Sequence, residues 1–188
     1  MALGRIVLVR HGETEWSASG QHTSRTDLPL LPEGRERAAV LRSELSSWRF
    51  SAVVCSPLRR ARETCELAGF GGVAAVWDEL HEWNYGEYEG LTTPEIRSAR
   101  PDWWLWSDGC PCGESPGEVS ARADRVLGRL APTNRDVAIF AHGHILRVLA
   151  ARWVEMEIVL GARLLLNAGA VSVLGSDRGT RAIERWNA

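Results

Sequence analysis

The chain of 188 residues contains no lysine, so all 22 of its basic residues are arginines. Any anion site must therefore use guanidinium groups, whose planar fork of donors suits phosphate well. The simplest explanation of the missing lysine is a coding preference for arginine. With 24 acidic residues the formal net charge is −2, which does not favour binding to nucleic acid or to a membrane surface.

Long apolar runs and metal-spaced cysteines are also missing. No stretch is long enough to span a bilayer, and the N-terminus lacks the charged and then apolar layout of a signal peptide. The four cysteines match no zinc framework, because C-P-C at 110–112 is one residue short of C-x-x-C. We therefore expect a cytoplasmic protein with reduced thiols and no metal or cofactor.

The length fits one domain over residues 1–188, with residues 91–114 as a lid or insertion. Hydrophobic residues make up 45% and charged residues 24%, which is ordinary for a globular protein. The stretch P-D-W-W-L-W at 101–106 fits two interpretations equally, a core packed by large rings or a hydrophobic lid. The sequence leaves the oligomeric state open.

Apolar patterns alternate between strand and helix periods along the chain. Strands are predicted at 5–9, 52–55, 74–77 and 136–141, and a closing hairpin at 170–174 and 181–186. Helices are predicted at 32–46, 57–68, 115–130 and 144–154. This alternation predicts an α/β three-layer sandwich, with a mixed, mostly parallel central sheet flanked by helices. Ligands bind such sheets at the carboxyl ends of the strands.

Three predicted strands end in cationic or imidazole side chains. The first runs into Arg10 and His11, and the second precedes a helix that carries Arg60 and two further arginines. The strand at 136–141 ends in A-H-G-H, which contributes His142 and His144. Cationic groups at three strand ends predict an anion site on one rim of the sheet.

Such a site is suited to phosphoryl transfer through a covalent intermediate. A neutral imidazole is a competent nucleophile, and arginines neutralise the phosphoryl oxygens while charge shifts in the transition state. The second histidine would donate to a non-bridging oxygen. Glu82 is the candidate that protonates the leaving alkoxide, and its neighbours Trp83 and Tyr85 would favour the protonated carboxyl group by excluding water.

The chain resembles the histidine phosphatase superfamily, the phosphoglycerate mutase-like proteins, in six motifs that occur in family order. They are R-H-G-E-T at 10–14, D-L-P-L-x-x-x-G at 27–34, S-x-L-x-R-A-x-x-T at 56–64, E-x-x-Y-G at 82–86, G-E-S at 113–115 and A-H-G-H at 141–144. R-H-G alone is a weak signal, whereas the ordered set is specific. The resemblance covers most of the chain and implies a phosphoglycerate mutase-like fold that needs no metal.

The resemblance also implies roles for individual residues. His11 would be the phosphorylated nucleophile, Arg10, Arg60 and His142 would form the phosphate pocket, and Glu82 would be the proton donor. A small phosphate ester would be the substrate. The residues expected to bind it are Thr14, Ser17, His22, Thr23, Tyr85 and Gly143.

Longer matches point to one branch of the family. R-H-G-E-T-E-W-S-A-S-G-Q-H-T, E-W-N-Y-G-E-Y-E-G and W-S-D-G-C-P-C-G-E-S are similar to the branch of sedoheptulose-1,7-bisphosphatase and some actinobacterial acid phosphatases. This implies a phosphatase acting on sugar phosphates or bisphosphates. Four positions depart from the wider family pattern, namely Ser17, Gln21, Ser24 and Leu31. Ser24 puts a side chain where the mutases bring bare backbone to the substrate.

Three alternatives remain. A metal-binding protein could use His11, His22, His142 and His144, but no carboxylates or thiols stand at fitting spacings. An inactive interaction module is disfavoured because every catalytic position is present. A mutase is the runner-up, yet family mutases carry a longer insertion than residues 91–114, with an arginine pair for the substrate carboxylate that is missing here.

Overall fold

The computed structural model describes residues 4–130 and 133–188 and contains a central six-stranded sheet. The strands are β1 (Ile6–Arg10), β2 (Ala52–Cys55), β3 (Ala75–Val76), β4 (Val137–Ala141), β5 (Val171–Asp177) and β6 (Thr180–Arg185). Their order across the sheet is β3-β2-β4-β1-β5-β6. The first four strands in this order are parallel to one another, and β5 and β6 are antiparallel to their neighbours. The predicted mixed, mostly parallel sheet is confirmed.

Helices cover both faces of this sheet. They are α1 (Glu15–Ser19), α2 (Pro32–Glu44), α3 (Arg59–Leu67), α4 (Thr93–Ala99), α5 (Leu105–Asp108), α6 (Pro116–Leu130) and α7 (Gly143–Trp153). Short 3-10 helices occupy Asp78–Leu80, Gly86–Tyr88 and Ile158–Arg163. Because successive strand residues point to opposite faces, the core divides into two clusters. One packs under α2 and α3 and the other under α6 and α7, so the predicted three layers are confirmed.

The predicted elements differ from the observed ones mainly at their ends. The helix predicted at 57–68 begins at Arg59, because the amide of Leu58 donates to Ser56 Oγ (3.3 Å) and keeps the chain extended there. Helix α6 begins with a capping box, since Ser115 and Glu118 exchange side-chain and backbone hydrogen bonds. The closing hairpin forms as β5 and β6.

Sequence reasoning missed three short helices, α1, α4 and α5. Helix α1 buries none of its five residues, so it has no apolar periodicity to detect. Helix α4 did carry a usable signal, because Thr92 and Glu95 form the T-x-x-E capping box at its start. Both α4 and α5 lie within residues 91–114, which therefore contain regular structure.

The tryptophans of the P-D-W-W-L-W stretch divide between core and surface. Trp103 and Trp106 are buried in the cluster under α6 and α7, whereas Trp104 is 37% exposed. All four cysteines are free thiols. In the described parts of the chain, no helix combines the length and apolar character needed to cross a membrane.

The loop that follows β1 packs unusually close to the start of α2. A Cβ atom added to Gly12 would overlap the carbonyl oxygen of Gly34, and one added to Gly34 would overlap the backbone of Glu13. Two glycines are therefore required where these backbones meet. The contact fixes the loop directly after His11.

Candidate active site

The sheet register brings three strand ends to one level. Arg10 at the end of β1 pairs with Ala141 at the end of β4, and Cys55 at the end of β2 pairs with Phe140. The ladder continues one residue further, because the amide of His11 donates to the carbonyl of Ala141 (3.0 Å). His11, Ser56 and His142 thus follow three adjacent parallel strands at the same rim, as predicted for the two histidines.

The hydrogen bonds of His11 define its tautomer. Its Nδ1 lies 2.6 Å from the carbonyl oxygen of Gly12, which can only accept, so Nδ1 carries the proton. Burial, followed by the charges of Arg10 and Arg60, holds the pKa of His11 well below its ordinary value. The side chain is therefore a neutral imidazole with an unprotonated Nε2, which is the form required of a nucleophile.

His142 lies beside His11, with ring centroids 5.1 Å apart, and both of its nitrogens are engaged. Its Nδ1 accepts from Arg60 Nε (3.2 Å), so its Nε2 carries the proton and donates to Ser56 Oγ (2.7 Å). Burial, then the charge of Arg60, holds the pKa of His142 well below its ordinary value. The N–H expected to face a phosphoryl oxygen is thus held by Ser56 in this structure.

Arg60 is fully buried behind the same histidines. Its Nη1 donates to the carbonyl of Thr26 and its Nη2 to the carbonyls of Thr23 and Ser24, each at 3.1 Å. Four of its five N–H donors, counting the bond to His142, are therefore in use. Arg60 orders the loop that contains Thr23 and fixes the tautomer of His142.

Arg10 carries the clearest sign of an anion site. Its Nε is buried and has no hydrogen-bond partner, and among the described residues it is the one buried side-chain nitrogen or oxygen in this condition. Its Nη1 donates to the carbonyl of Leu166. Burial lowers the pKa of Arg10. A Cβ on Gly143, at the start of α7, would come within 3.4 Å of that Nε. The first residue of α7 and the guanidinium of Arg10 are therefore close neighbours, and an oxyanion bound by Arg10 Nε would also lie near this helix N-terminus.

Glu82 is buried against the N-terminus of α7. Its Oε1 accepts from the amides of Trp83 and Ile145, and its Oε2 from the amide of His144, all at 2.9 Å. Both carboxylate oxygens of Glu82 therefore accept backbone hydrogen bonds, which hold the side chain at the start of α7.

A cavity of about 240 Å³ opens onto His11 and Glu82. Its lining comprises Arg10, His11, Trp16, Ser17, Gly20, Gln21, His22, Thr23, Glu82, Tyr85, Gly143, His144, Arg147 and Leu166. The cavity thus brings together three predicted catalytic residues and five of the six predicted substrate residues. Arg60 and His142 lie behind its wall.

Thr14 and Ser17 are occupied with local structure. Thr14 is fully buried as the N-cap of α1, its Oγ1 accepts the amide of Ser17 (3.3 Å), and Ser17 Oγ accepts the amide of Thr14 (2.8 Å). Thr14 lies outside the cavity lining, whereas Ser17 reaches it. Thr23 also bonds locally, through its Oγ1 to the carbonyl of Gln21 (3.1 Å).

His22, Tyr85 and His144 form an aromatic wall. The His22 ring lies 4.6 Å from that of Tyr85, whose hydroxyl is 2.6 Å from Nδ1 of His144. Burial lowers the pKa of His22 to about 4 and that of His144 well below its ordinary value. The rings of Trp103 and Trp106 back this wall, at 5.7 Å from His22 and 5.5 Å from His144 respectively. His144 was not among the residues expected from the sequence to bind the substrate.

Two further arginines were missed. Arg147 on α7 lines the cavity, with its Nε donating to the carbonyl of Gly161 (2.7 Å) and its guanidinium over the ring of Trp106 (4.8 Å). Arg122 on α6 is buried behind the Glu82 segment. The A-H-G-H motif followed by a helix could have pointed to Arg147, because it stands one helical turn beyond Gly143.

The histidine arrangement does not resemble a metal centre. Over the described residues, no group of three or more His, Cys, Asp or Glu side chains is placed to hold a metal ion. His11 and His142 instead hydrogen-bond to a backbone carbonyl, an arginine and a serine.

The chain belongs to the histidine phosphatase superfamily (branch 1), whose family model matches residues 6–188. The predicted family and phosphatase class are confirmed. An acid phosphatase of Mycobacterium tuberculosis is 40% identical over 183 residues, which cover 95% of this chain and 90% of that protein. A sedoheptulose 1,7-bisphosphatase of Saccharomyces cerevisiae is 37% identical over 186 residues, which cover 82% of this chain and 69% of the yeast protein.

Solved structures agree with this assignment and confirm the predicted fold. The structure of an open reading frame product of Mycobacterium tuberculosis has a TM-score of 0.94 and 38% sequence identity. The match covers 98% of this chain and 97% of the other.

Proposed function

We propose that the protein hydrolyses small phosphate monoesters through a phosphohistidine on His11. The observation that carries this proposal is the hydrogen bond from His11 Nδ1 to the Gly12 carbonyl, because it leaves Nε2 unprotonated in a side chain that lines the cavity. The unpartnered Nε of Arg10 supports it, since a phosphoryl oxygen would supply the missing acceptor.

The reaction takes place in two displacements at phosphorus. In the first, Nε2 of His11 forms a bond to phosphorus, the ester P–O bond breaks, and the leaving oxygen takes a proton from Glu82. In the second, water attacks phosphorus, the N–P bond breaks with its electron pair returning to Nε2, and the Glu82 carboxylate takes a proton from the water. Inorganic phosphate leaves and His11 is restored.

The remaining catalytic residues stabilise the phosphoryl group. Arg10 contacts its oxygens directly, and Arg60 holds His142 in the tautomer whose Nε2 carries a proton. In our proposal a bound phosphoryl oxygen competes with Ser56 Oγ for that N–H. Because positive charge comes from these side chains, the reaction is proposed to need no metal ion.

Trapping of the intermediate tests the nucleophile. Labelled substrate quenched during turnover should leave a label that acid removes and base does not, as expected of a phosphoramidate. His11→Ala should abolish it, whereas the matched control His81→Ala, at a partly exposed histidine outside the cavity lining, should retain it. Label that persists in His11→Ala would end the assignment.

The proton donor is tested by the choice of leaving group. A sugar alkoxide needs a proton and a nitrophenolate does not, so Glu82→Gln should lose on the order of 10²–10⁴ in rate on a sugar phosphate and far less on p-nitrophenyl phosphate. Glu79→Gln, at an exposed ion pair with Arg129, is the matched control. Equal losses on both substrates would assign Glu82 to phosphate positioning instead.

The cavity favours sugar phosphates or bisphosphates as substrates. Beyond His11 it offers the amide of Gln21 and the rings of His22 and Tyr85, which can bind and stack on a polyol. Arg147 adds a cation to the cavity lining and favours a second anionic group on the substrate. The yeast relative, by its name, acts on a sugar bisphosphate.

A screen of phosphorylated metabolites tests this substrate class. Sugar phosphates and bisphosphates should give a higher kcat/KM than 3-phosphoglycerate, because they satisfy the polar groups of the cavity in the transition state. The screen should score both phosphate release and isomer formation. If 3-phosphoglycerate is converted to its isomer faster than phosphate appears, the protein is a mutase.

We further propose that residues 91–114 form the insertion that closes one side of the site within a single domain spanning residues 1–188. The contacts of Trp103 with His22 and of Trp106 with His144 support this placement. Cytoplasmic location remains a prediction from the sequence.

A further inference from the structure

Arg122 makes a complete set of hydrogen bonds directly behind Glu82. It lies on α6, is 3% exposed, and uses all five of its N–H donors. Its Nε and Nη2 bind both carboxylate oxygens of Glu114, at 2.9 and 2.7 Å. Its Nη1 and Nη2 also donate to three carbonyls of one short backbone segment, those of Glu79 (2.8 Å), His81 (2.7 Å) and Glu82 (3.3 Å).

Glu114 holds the same segment from the other side. Its carboxylate accepts the amide of Asn84 (2.8 Å), its own amide donates to the carbonyl of Asn84 (2.8 Å), and its carbonyl accepts Trp83 Nε1 (2.8 Å). Although burial acts in the opposite sense, the hydrogen bond and charge of Arg122 hold the pKa of Glu114 below its ordinary value. The pair is therefore ionised and bidentate.

We propose that Arg122, oriented by Glu114, is a positioning residue for proton transfer by Glu82. The segment from Glu79 to Asn84 begins in the first of two 3-10 helices and ends just before the second, outside the sheet, so no strand ladder fixes its backbone. The Arg122–Glu114 pair supplies that restraint. It binds the carbonyl of Glu82 itself, the carbonyls of Glu79 and His81 before it, and the amide of Asn84 after it. This inference rests on the proposed role of Glu82 as the proton donor.

The expected consequence of loosening this restraint is selective. A shift of about 1 Å in a catalytic group can cost on the order of 10²-fold in rate. The loss should fall on reactions that need the proton, because His11 and Arg10 belong to different elements. Arg122→Gln and Glu114→Gln should therefore reduce kcat on a sugar phosphate by on the order of 10- to 10²-fold and on p-nitrophenyl phosphate by much less.

The measured quantity is the ratio of kcat/KM on an alkyl phosphate to that on p-nitrophenyl phosphate. This ratio does not depend on the fraction of folded enzyme, so a variant that folds poorly still gives an answer. Arg122→Lys, which keeps the charge but cannot make the fork, should give an intermediate ratio. Arg129→Gln is the matched control, because Arg129 lies on the same helix and pairs with Glu79 at the surface (3.0 Å). Its ratio should match that of the wild type.

The outcomes separate this inference from the proposed function. If Glu82→Gln lowers the ratio and Arg122→Gln and Glu114→Gln do not, the positioning role is refuted while the proton donor stands. If Glu82→Gln leaves the ratio unchanged, the donor assignment fails first. A lowered ratio in Arg129→Gln as well would mean that any loosening of the segment has this effect, and would overturn the specific role of Arg122.

Discussion

Replacing Arg147 should weaken the binding of a substrate with a second anionic group and leave a monophosphate nearly unaffected. Arg147 lines the cavity, and its guanidinium is held by the carbonyl of Gly161 and the ring of Trp106. Burial lowers the pKa of Arg147. An anion beside the guanidinium would favour its charged form and so offset the hydration that is lost on burial.

The size of the effect follows from the kind of contact that is lost. A hydrogen bond to a charged group contributes about 1.5–3 kcal/mol, which corresponds to roughly 10- to 150-fold in affinity. Arg147→Met keeps the apolar stem over Trp106 but also frees the carbonyl of Gly161. We therefore expect a moderate loss of stability, about 1–3 kcal/mol, alongside the loss of affinity.

The assay compares KM for a sugar bisphosphate with KM for the corresponding monophosphate. Arg147→Met should raise the first by at least about tenfold and the second by less than about threefold. Arg152→Met, on the same helix but paired with Asp124 at the surface (2.9 Å), is the matched control and should change neither. An equal rise for both substrates would refute the argument, because it would place Arg147 at the reacting phosphate or in the general packing of the wall.

Three other predictions concern stability and metal. Burial keeps the pKa of four histidines below the ordinary value, so these side chains take up protons in the unfolded chain before they do so in the folded protein as the pH falls. The free energy of unfolding, measured with urea, should therefore decrease below about pH 6.5. Each histidine should contribute up to roughly 1.4 kcal/mol per pH unit to this decrease. The four histidines are His11, His22, His142 and His144. Ser17→Ala should lower stability by about 1 kcal/mol, because the Thr14 amide loses its acceptor in the capping box of α1, with little change in KM. A tenfold rise in KM at unchanged Tm would instead assign Ser17 to the substrate. Activity should survive EDTA and dialysis, whereas its loss and recovery with one added metal ion would revive the metal-site alternative.

The elements that could be predicted from the sequence are those formed by continuous apolar segments. Strands β1 and β4 are buried on both faces, and such strands appear as continuous apolar segments whose ends are sharp. The polar residues directly after them, His11 and His142, therefore fell at the predicted rim. Short helices such as α1 bury too little to leave a pattern.

The side-chain contacts of the site could not be predicted in the same way. The positioning role proposed for Arg122 depends on three carbonyls of an irregular segment, and no residue pattern specifies where such carbonyls point. The tautomer of His142 likewise depends on an arginine 82 positions away in the sequence. Arg147 could be placed on a helix, but the side of the helix that faces the cavity depends on how α7 packs.

The contact between Gly12 and Gly34 bears on how a mutational scan of this protein would look. Neither glycine belongs to the proposed catalytic machinery, yet a Cβ on either would overlap backbone that has no room to move. Both positions should therefore be as intolerant of substitution as His11 itself. Intolerance at these two sites would reflect the lack of space for a Cβ atom where the two backbones meet, and not a role in catalysis. The loss of activity of each variant must therefore be normalised to its protein abundance before the scan identifies catalytic residues.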